Sequence, residues 1–165
     1  MTEAVPAAAP IDRDPEIDRA LAGHAFFADL SEAHRGEVAA CARFAGFDAG
    51  TALCREGDPA DVLHVILAGR LALEYRSAAR EPLVVATLGP GEVHGWSWLF
   101  PPHRWTCDAR VVEPATLLEV DGARLRARCA EDPALGRELM LRFARLFSER
   151  LAATRLQLMD LHAHA

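Results

Sequence analysis

The spacing of apolar side chains changes period twice along this chain. From Glu16 to about Phe44 the apolar residues Ile17, Leu21, Phe26, Phe27, Leu30, Val38 and Cys41 fit short helices, and Ser31 stands where the N-cap of the segment SEAHRGEVAACA belongs. From Phe44 to Val120 the pattern breaks into short apolar runs at Phe44–Phe47, Val62–Leu67, Leu71–Tyr75, Leu83–Leu88, Ala109–Val112 and Thr116–Val120. Turn signals separate them, at Asp48-Ala49-Gly50, Gly57-Asp58-Pro59, Ala68-Gly69 and Gly89-Pro90-Gly91. Many short strands at this spacing predict a β-sandwich or jelly roll. After Asp121-Gly122 the chain turns rich in Arg, Leu, Ala and Glu, with a break at Asp132-Pro133. From Pro133 onward Met140, Phe143, Phe147, Leu151, Thr154, Leu158 and Leu161 recur at intervals of three and four, the stripe of one helix of about 25 residues.

The pattern places a tail over 1–15, where MTEAVPAAAPIDRDP is rich in Ala and Pro and lacks periodicity, and one domain over 16–165. That domain reads as N-terminal helices (16–43), a β-roll (44–121) and C-terminal helices (122–163). A helix of about 25 residues spans nearly 40 Å at ~1.5 Å per residue, further than a small β domain reaches. Its apolar stripe either folds back on the roll or pairs with a second copy as a short coiled coil, with Met140, Phe143, Phe147, Leu151 and Leu158 at the seam of a homodimer.

Composition narrows the classes of function. A chain of 165 residues with 51% hydrophobic content supports one real core. The net charge of −6 argues against a surface built for nucleic acid, and all 18 basic residues are arginine. Cys41, Cys54, Cys107 and Cys129 show no C-x-x-C spacing, so reduced, mostly buried thiols in a cytoplasmic protein are expected. No apolar run approaches the ~18 residues of a membrane span. The histidines lack the H-x-H pairing of a metal site in the sheet region, and His94, beside Gly95, stands alone. Ser97 in G-W-S-W-L is not a nucleophile elbow. Neither a catalytic nor a metal site is expected, and the protein is not read as an enzyme.

The chemistry concentrates in LGPGEVHGWSWLFPPHRWTCDA, Leu88 to Ala109. A Pro-Gly turn leads to Gly95, a short apolar segment, a Pro-Pro break and Arg104. Free backbone N–H groups after a glycine, joined by an arginine, suit a phosphate. Trp96, Trp98 and Trp105 lie within ten residues, and two readings stay open for them: filling of the roll interior, or walls of a pocket that takes a small anionic or planar ligand at the Gly95–Ser97 amides.

Four segments together resemble the cyclic nucleotide-binding domain of the catabolite-activator and protein-kinase-A regulatory-subunit superfamily. They are HAFFADLSEAHRGEVAACA, LCREGDPADVLHVILAGRLAL, LGPGEVHGWSWLFPP and ARVVEPATLLEVDGARLRARCAEDPALGREL, covering about residues 20 to 160. The resemblance implies a mainly β fold, a double-stranded β-helix or jelly roll with N-terminal helices and a long C-terminal helix. It also implies a phosphate-binding cassette whose short helix offers its amides to cAMP or cGMP. Gly95 matches the cassette glycine. Trp96 stands where the family places the ribose-binding glutamate, and an indole donates but does not accept. Trp105 stands at the kinase-type phosphate arginine, with Arg104 one position earlier and Thr106 matching a small following residue. The candidate ligand site is therefore Gly95, Trp96, Ser97, Trp98, Arg104, Trp105 and Thr106, with Thr154 of the long helix as a base contact. In the catabolite-activator branch the long helix leads into a helix-turn-helix module. No such module is expected here, nor direct DNA contact. Two functions follow: a non-catalytic ligand-sensing module that dimerises, repacks its C-terminal helix and passes its state to a protein partner, or a degenerate binding fold kept as a dimerisation scaffold.

Overall fold

A computed structural model describes residues 14–77 and 80–163, with the side chains at 77, 80 and 161–163 excepted. All but the last two residues of the expected tail lie outside that range. Asp14 and Pro15 belong to the first helix instead: α1 spans Pro15–Gly23, and the Asp14 carboxylate accepts the Glu16 N–H at 2.8 Å as its N-cap. The second helix, α2 (Glu32–Ala39), is capped by Ser31, which accepts the His34 N–H at 3.2 Å. Arg35 of α2 grips Asp18 of α1 through two bonds, at 2.9 and 3.2 Å.

Six antiparallel strands follow: β1 (Ala42–Phe47), β2 (Ala52–Cys54), β3 (Val62–Ser77), β4 (Arg80–Leu88), β5 (Val93–His94) and β6 (Asp108–Asp121). The sheet runs β1-β6-β3-β4, with β2 also on β6 and β5 also on β3. Two of these strands are longer than the sequence pattern suggests. The runs at 62–67 and 71–75 join into β3, and those at 109–112 and 116–120 join into β6. The turn signal Ala68-Gly69, and the gap around Pro114 between the other two runs, are a shared bend within two continuous strands. Register shifts cluster there, between Ile66 and Leu71 of β3. On one side of the bend β3 pairs with the end of β6 and with β5, and β1 flanks β6. On the other side β3 pairs with the start of β6 and with β4, and β2 flanks β6. The result is a roll.

The bend requires a glycine. Gly69 has φ +83, and a Cβ there would lie 2.3 Å from the Pro114 carbonyl oxygen and 2.5 Å from the Ala115 Cα. Inside the roll Ile66, Leu71, Leu73, Val111, Leu117 and Trp105 form one buried cluster. His64 with Leu63, Val65 and Ile66, like Leu117 with Leu118, shows burial on both faces, which explains the unbroken apolar runs.

The chain divides into two compact units at Leu125 and Arg126. In the second unit α4 (Pro133–Ala163) has 31 residues, longer than the 25 expected because nothing after Gly136 interrupts it. The helix α3 (Gly122–Glu131) starts in the first unit with Leu125 buried, and Asp132 caps α4 through the Ala134 N–H at 2.9 Å. One expected seam residue is displaced: Phe143 is buried together with Leu135 and Leu139 at intervals of four, so it is not on an open stripe. Met140, Leu151 and Leu158 are exposed, and Phe147 is partly so, its ring 6.2 Å from that of Phe143.

Gly69→Ala adds both a left-handed alanine and a backbone clash, and should cost about 2–4 kcal/mol in urea unfolding with an unchanged m-value. A loss below about 0.5 kcal/mol would show that the bend does not need the close approach.

Candidate functional site

The cassette begins where β5 leaves the sheet. Gly95 takes φ +94, a conformation that favours glycine, and turns the chain into a single 3₁₀ turn, Ser97–Leu99, behind Trp96. The Pro101-Pro102 break follows directly, so the cassette helix is one turn long. Trp98 is fully buried beside Gly122, where a Cβ would come within 2.7 Å of the Trp98 Cβ. It therefore anchors the turn in the core. Trp96 is half-buried, Ser97 is buried and Thr106 is exposed.

Arg104 and Trp105 decide what the cassette offers. They lie on an extended segment bridged to Pro59, so successive side chains point to opposite sides. Backbone bonds fix that segment to the 55–60 loop: Trp105 N–H to Asp58 at 2.9 Å, Gly57 N–H to Trp105 at 2.8 Å, and Ala60 N–H to His103 at 2.8 Å. Trp105 points into the roll. Arg104 points away, and its Nη1 donates to the Gly57 carbonyl at 2.7 Å. The expected anion partner of the Gly95–Ser97 amides is thus turned toward a loop, for the reason that strand alternation gives.

Trp105 occupies the space that Gly95 leaves. A Cβ on Gly95 would lie 2.7 and 2.9 Å from two atoms of the Trp105 ring. What remains is a cavity of about 20 Å³ lined by Leu73, His94, Gly95, Trp96, Ser97, Trp105, Thr106 and Cys107. That is room for about one water, whereas ligand pockets start near 300 Å³. No arginine lines it.

Behind the indole lies a feature that residue spacing did not reveal. His94 does not stand alone: β5 pairs with β3 so that His94 faces His64, and their Nδ1 atoms lie 3.2 Å apart. Both rings are buried. The His94 ring is stacked on Trp105, with centroids 4.9 Å apart and planes at 7°, and His64 is nearly parallel to His94 at 12°. On its far side His64 presents Nε2 to Glu119 of β6 at 3.7 Å, longer than a hydrogen bond but close enough for charge to act. Glu119 also pairs with Arg43 of β1. The His64 imidazole chiefly, with Arg43, holds the Glu119 carboxyl below the usual carboxylate range against the opposing effect of burial. Glu119 borders a second, larger cleft of about 450 Å³, whose other charged groups are Arg43, Asp61, Asp121 and Arg124. The signal that could have exposed the pair was a histidine inside the apolar run VLHVIL, opposite another beside the cassette glycine.

Thr154 lies in the second unit, exposed, and its hydroxyl donates to the Arg150 carbonyl at 2.9 Å. The cysteines are free thiols, and burial pushes Cys54 up to about 12, which leaves it protonated and inert. Among the described residues no helix is long and apolar enough to cross a membrane, and no cluster of three His, Cys, Asp or Glu side chains is arranged to hold a metal.

Residues 46–132 match the cyclic nucleotide-binding domain family. The chain belongs to that family. It is 26% identical over 115 residues to the CRP-like cAMP-activated global transcriptional regulator of Mycobacterium tuberculosis, an alignment covering 70% of this chain and 50% of the regulator. The chain thus spans about half the length of the curated relatives that it matches. Among solved structures it is similar to a protein of Geobacter metallireducens assigned to the cyclic nucleotide-binding proteins, with 30% identity, a TM-score of 0.74, and 81% of this chain and 97% of that one covered. It is also similar to the regulatory domain of Toxoplasma gondii PKA, solved with cAMP, at 25% identity and a TM-score of 0.59, over 68% of this chain and 42% of that one. The family's β-roll with flanking helices is the fold described above, and the Mycobacterium tuberculosis and Toxoplasma gondii relatives carry regulatory names.

Gly95→Ala places a methyl inside the Trp105 ring and should cost about 2–4 kcal/mol while shifting tryptophan emission to longer wavelength. Unchanged stability and emission would mean that Trp105 does not sit on this glycine.

Proposed function

We propose that this chain is a non-catalytic regulatory module of the cyclic nucleotide-binding type whose cassette is closed by its own Trp105. The observation that carries the reading is the placement of that indole over Gly95, at the position of the family's phosphate arginine, while Arg104 is held by the Gly57 carbonyl. A ligand enters only when Trp105 leaves. The walls then available are aromatic, Trp96 and His94, with the Gly95–Ser97 amides as donors, a setting for a small planar or anionic ligand. Because Trp96 replaces an acceptor carboxylate, cAMP and cGMP lose the group that would hold their ribose hydroxyl.

The state of the module passes on through α4. At ~1.5 Å per residue its 31 residues reach about 46 Å. Met140, Phe147, Leu151, Thr154 and Leu158 follow one another at alternating intervals of seven, four, three and four, the spacing of a seam between two copies. A homodimer joined there presents its surface to a separate protein partner, and with a net charge of −6 the module does not contact DNA itself. Thr154, on that stripe, belongs to the seam as well as being the candidate base contact. The second reading is a dimerisation scaffold that binds no nucleotide, and the 20 Å³ cavity favours it directly.

Thermal shift and calorimetry with cAMP, cGMP and cyclic dinucleotides separate the two. A ligand of the closed cassette should bind the wild type and Arg104→Ala equally within about twofold, while Trp105→Ala changes its affinity tenfold or more. At a hundredfold excess over Kd, binding adds about 2.7 kcal/mol to stability. Tight cAMP binding that Arg104→Ala abolishes overturns the closed-cassette reading, and silence from every ligand leaves the scaffold.

The dimer has its own check. Phe147→Glu puts a charge on the stripe and should yield a monomer by light scattering, whereas a dimer that survives places the interface elsewhere.

A further inference from the structure

A third buried histidine lies outside the cassette, where α1 ends. The His24 N–H donates to the Leu21 carbonyl at 3.1 Å, and the His24 carbonyl accepts the N–H groups of Phe27 and Ala28, both at 2.9 Å. The side chain folds back over the same turn: Nδ1 accepts the Phe26 N–H at 3.3 Å, and the ring lies 5.8 Å from that of Phe27. His24 is buried, as are Leu21, Phe27 and Leu30 of this stretch. A ring nitrogen that accepts carries no proton, so neutral His24 holds its proton on Nε2, which is sealed from solvent without a full hydrogen bond among the described residues. The Glu92 carbonyl, in the turn that leads into β5, is the group that favours charge on this ring. Burial outweighs it, and the pKa of His24 lies below the usual imidazole value. That turn is itself fixed to β3, because Glu92 accepts the Ile66 N–H at 3.0 Å and the Gly91 N–H donates to Ile66 at 3.0 Å.

We propose that His24 is an acid-sensitive pin, which fastens the segment between α1 and α2 to the turn before β5 while the ring is neutral and frees that segment when the ring takes up a proton. The vacant proton position on the neutral ring is Nδ1, and Nδ1 is where the Phe26 N–H points. A proton added there sets two donors face to face at 3.3 Å and leaves a charge where burial already opposes it. The closed segment therefore resists the proton, whereas an opened one, with its ring in water, does not. Above pH about 6.5 neither form is charged, and the closed form loses nothing; below it the opened form alone gains by protonation. At pH 5 an imidazole of ordinary pKa favours opening by up to about thirtyfold. The groups that face the ring are the Phe26 N–H and the Phe27 ring from its own segment and the Glu92 carbonyl from the turn before β5. The Glu92 carboxylate is turned to the Gly89 N–H at 2.8 Å, and no charged side chain among the described residues offsets the burial of His24. The pin needs neither the cassette nor a ligand, and it does not rest on the function proposed above.

Imidazole nitrogen–proton correlation spectra of the ¹⁵N-labelled full chain give the tautomer directly. At pH 8 His24 should carry its proton on Nε2, and a proton on Nδ1 overturns the proposal. Amide hydrogen exchange at pH 7.5 and pH 5, corrected for the intrinsic pH dependence of exchange, tests the release. Protection at Phe26, Phe27 and Ala28 should fall by about threefold or more on acidification, the ordinary imidazole pKa allowing up to about thirtyfold. His24→Asn places Oδ1 where Nδ1 stands, so it can accept from the Phe26 N–H but takes up no proton in this range, and the fall should be absent from it. A smaller fall in the wild type, or one that persists in His24→Asn, sinks the pin. If His24→Asn does not fold, the wild-type tautomer and the ring's own titration still decide: His24 should titrate below the value of about 6.5 for an exposed imidazole, and a midpoint at or above it overturns the proposal as well. Failure of the nucleotide titrations, by contrast, bears on the ligand and leaves the pin standing.

Discussion

Everything in the first unit depends on two long strands bending together. β3 and β6 pair on both sides of the bend, and they stay paired through it only because Gly69 lets the Pro114 carbonyl and Ala115 come where a side chain would stand. The same bend gives each strand two jobs. One half of β3 supplies Leu71 and Leu73 to the interior against Trp105. The other half supplies His64 to the back of the cassette, where β6 brings Glu119 beside it. A core and a polar relay are thus carried on the same pair of strands, and the short β5 needs only two residues to place His94 between them.

The cassette is governed by sterics before electrostatics. An arginine at the position of Trp105 would send a charge into the roll next to Gly95. The indole there fills the volume instead, and the extended backbone at 104–105 obliges the neighbouring arginine to face out. Arg104 is not idle, because its bond to the Gly57 carbonyl adds to the backbone bonds that tie the 55–60 loop to the segment after the cassette. Arg104 thus acts as a strut, and Trp105 is part of the hydrophobic core.

The fold was legible because its signals are local. Ser31 as a cap, the switch in period near Phe44 and the uninterrupted stripe after Pro133 each act over a few residues, and each element formed where its pattern placed it. The bend was misread as strand ends because a turn signal such as Ala68-Gly69 looks the same in sequence whether the chain stops or turns. β2 and β5, three and two residues long, carry too little pattern to register. Phe143 shared a spacing with Phe147, and only burial separates the covered stripe from the open one. The histidine pair was hidden for a different reason: His64 and His94 lie 30 residues apart and meet only through the pairing of β3 with β5. A search for ligands at short spacing cannot see a contact that topology makes.

That pairing also bears on what holds Trp105 over Gly95. A fixed arginine holds its charge at every physiological pH, so a cassette built on it answers to ligand concentration alone. Behind the indole a buried histidine pair is set instead, beside Glu119 and through it beside Arg43 at the surface. An indole stacked on such a pair is held by shape and by the rings behind it rather than by charge. The small cavity and the indole over Gly95 are then features of one arrangement, in which the ring that fills the volume is the ring that the histidines support.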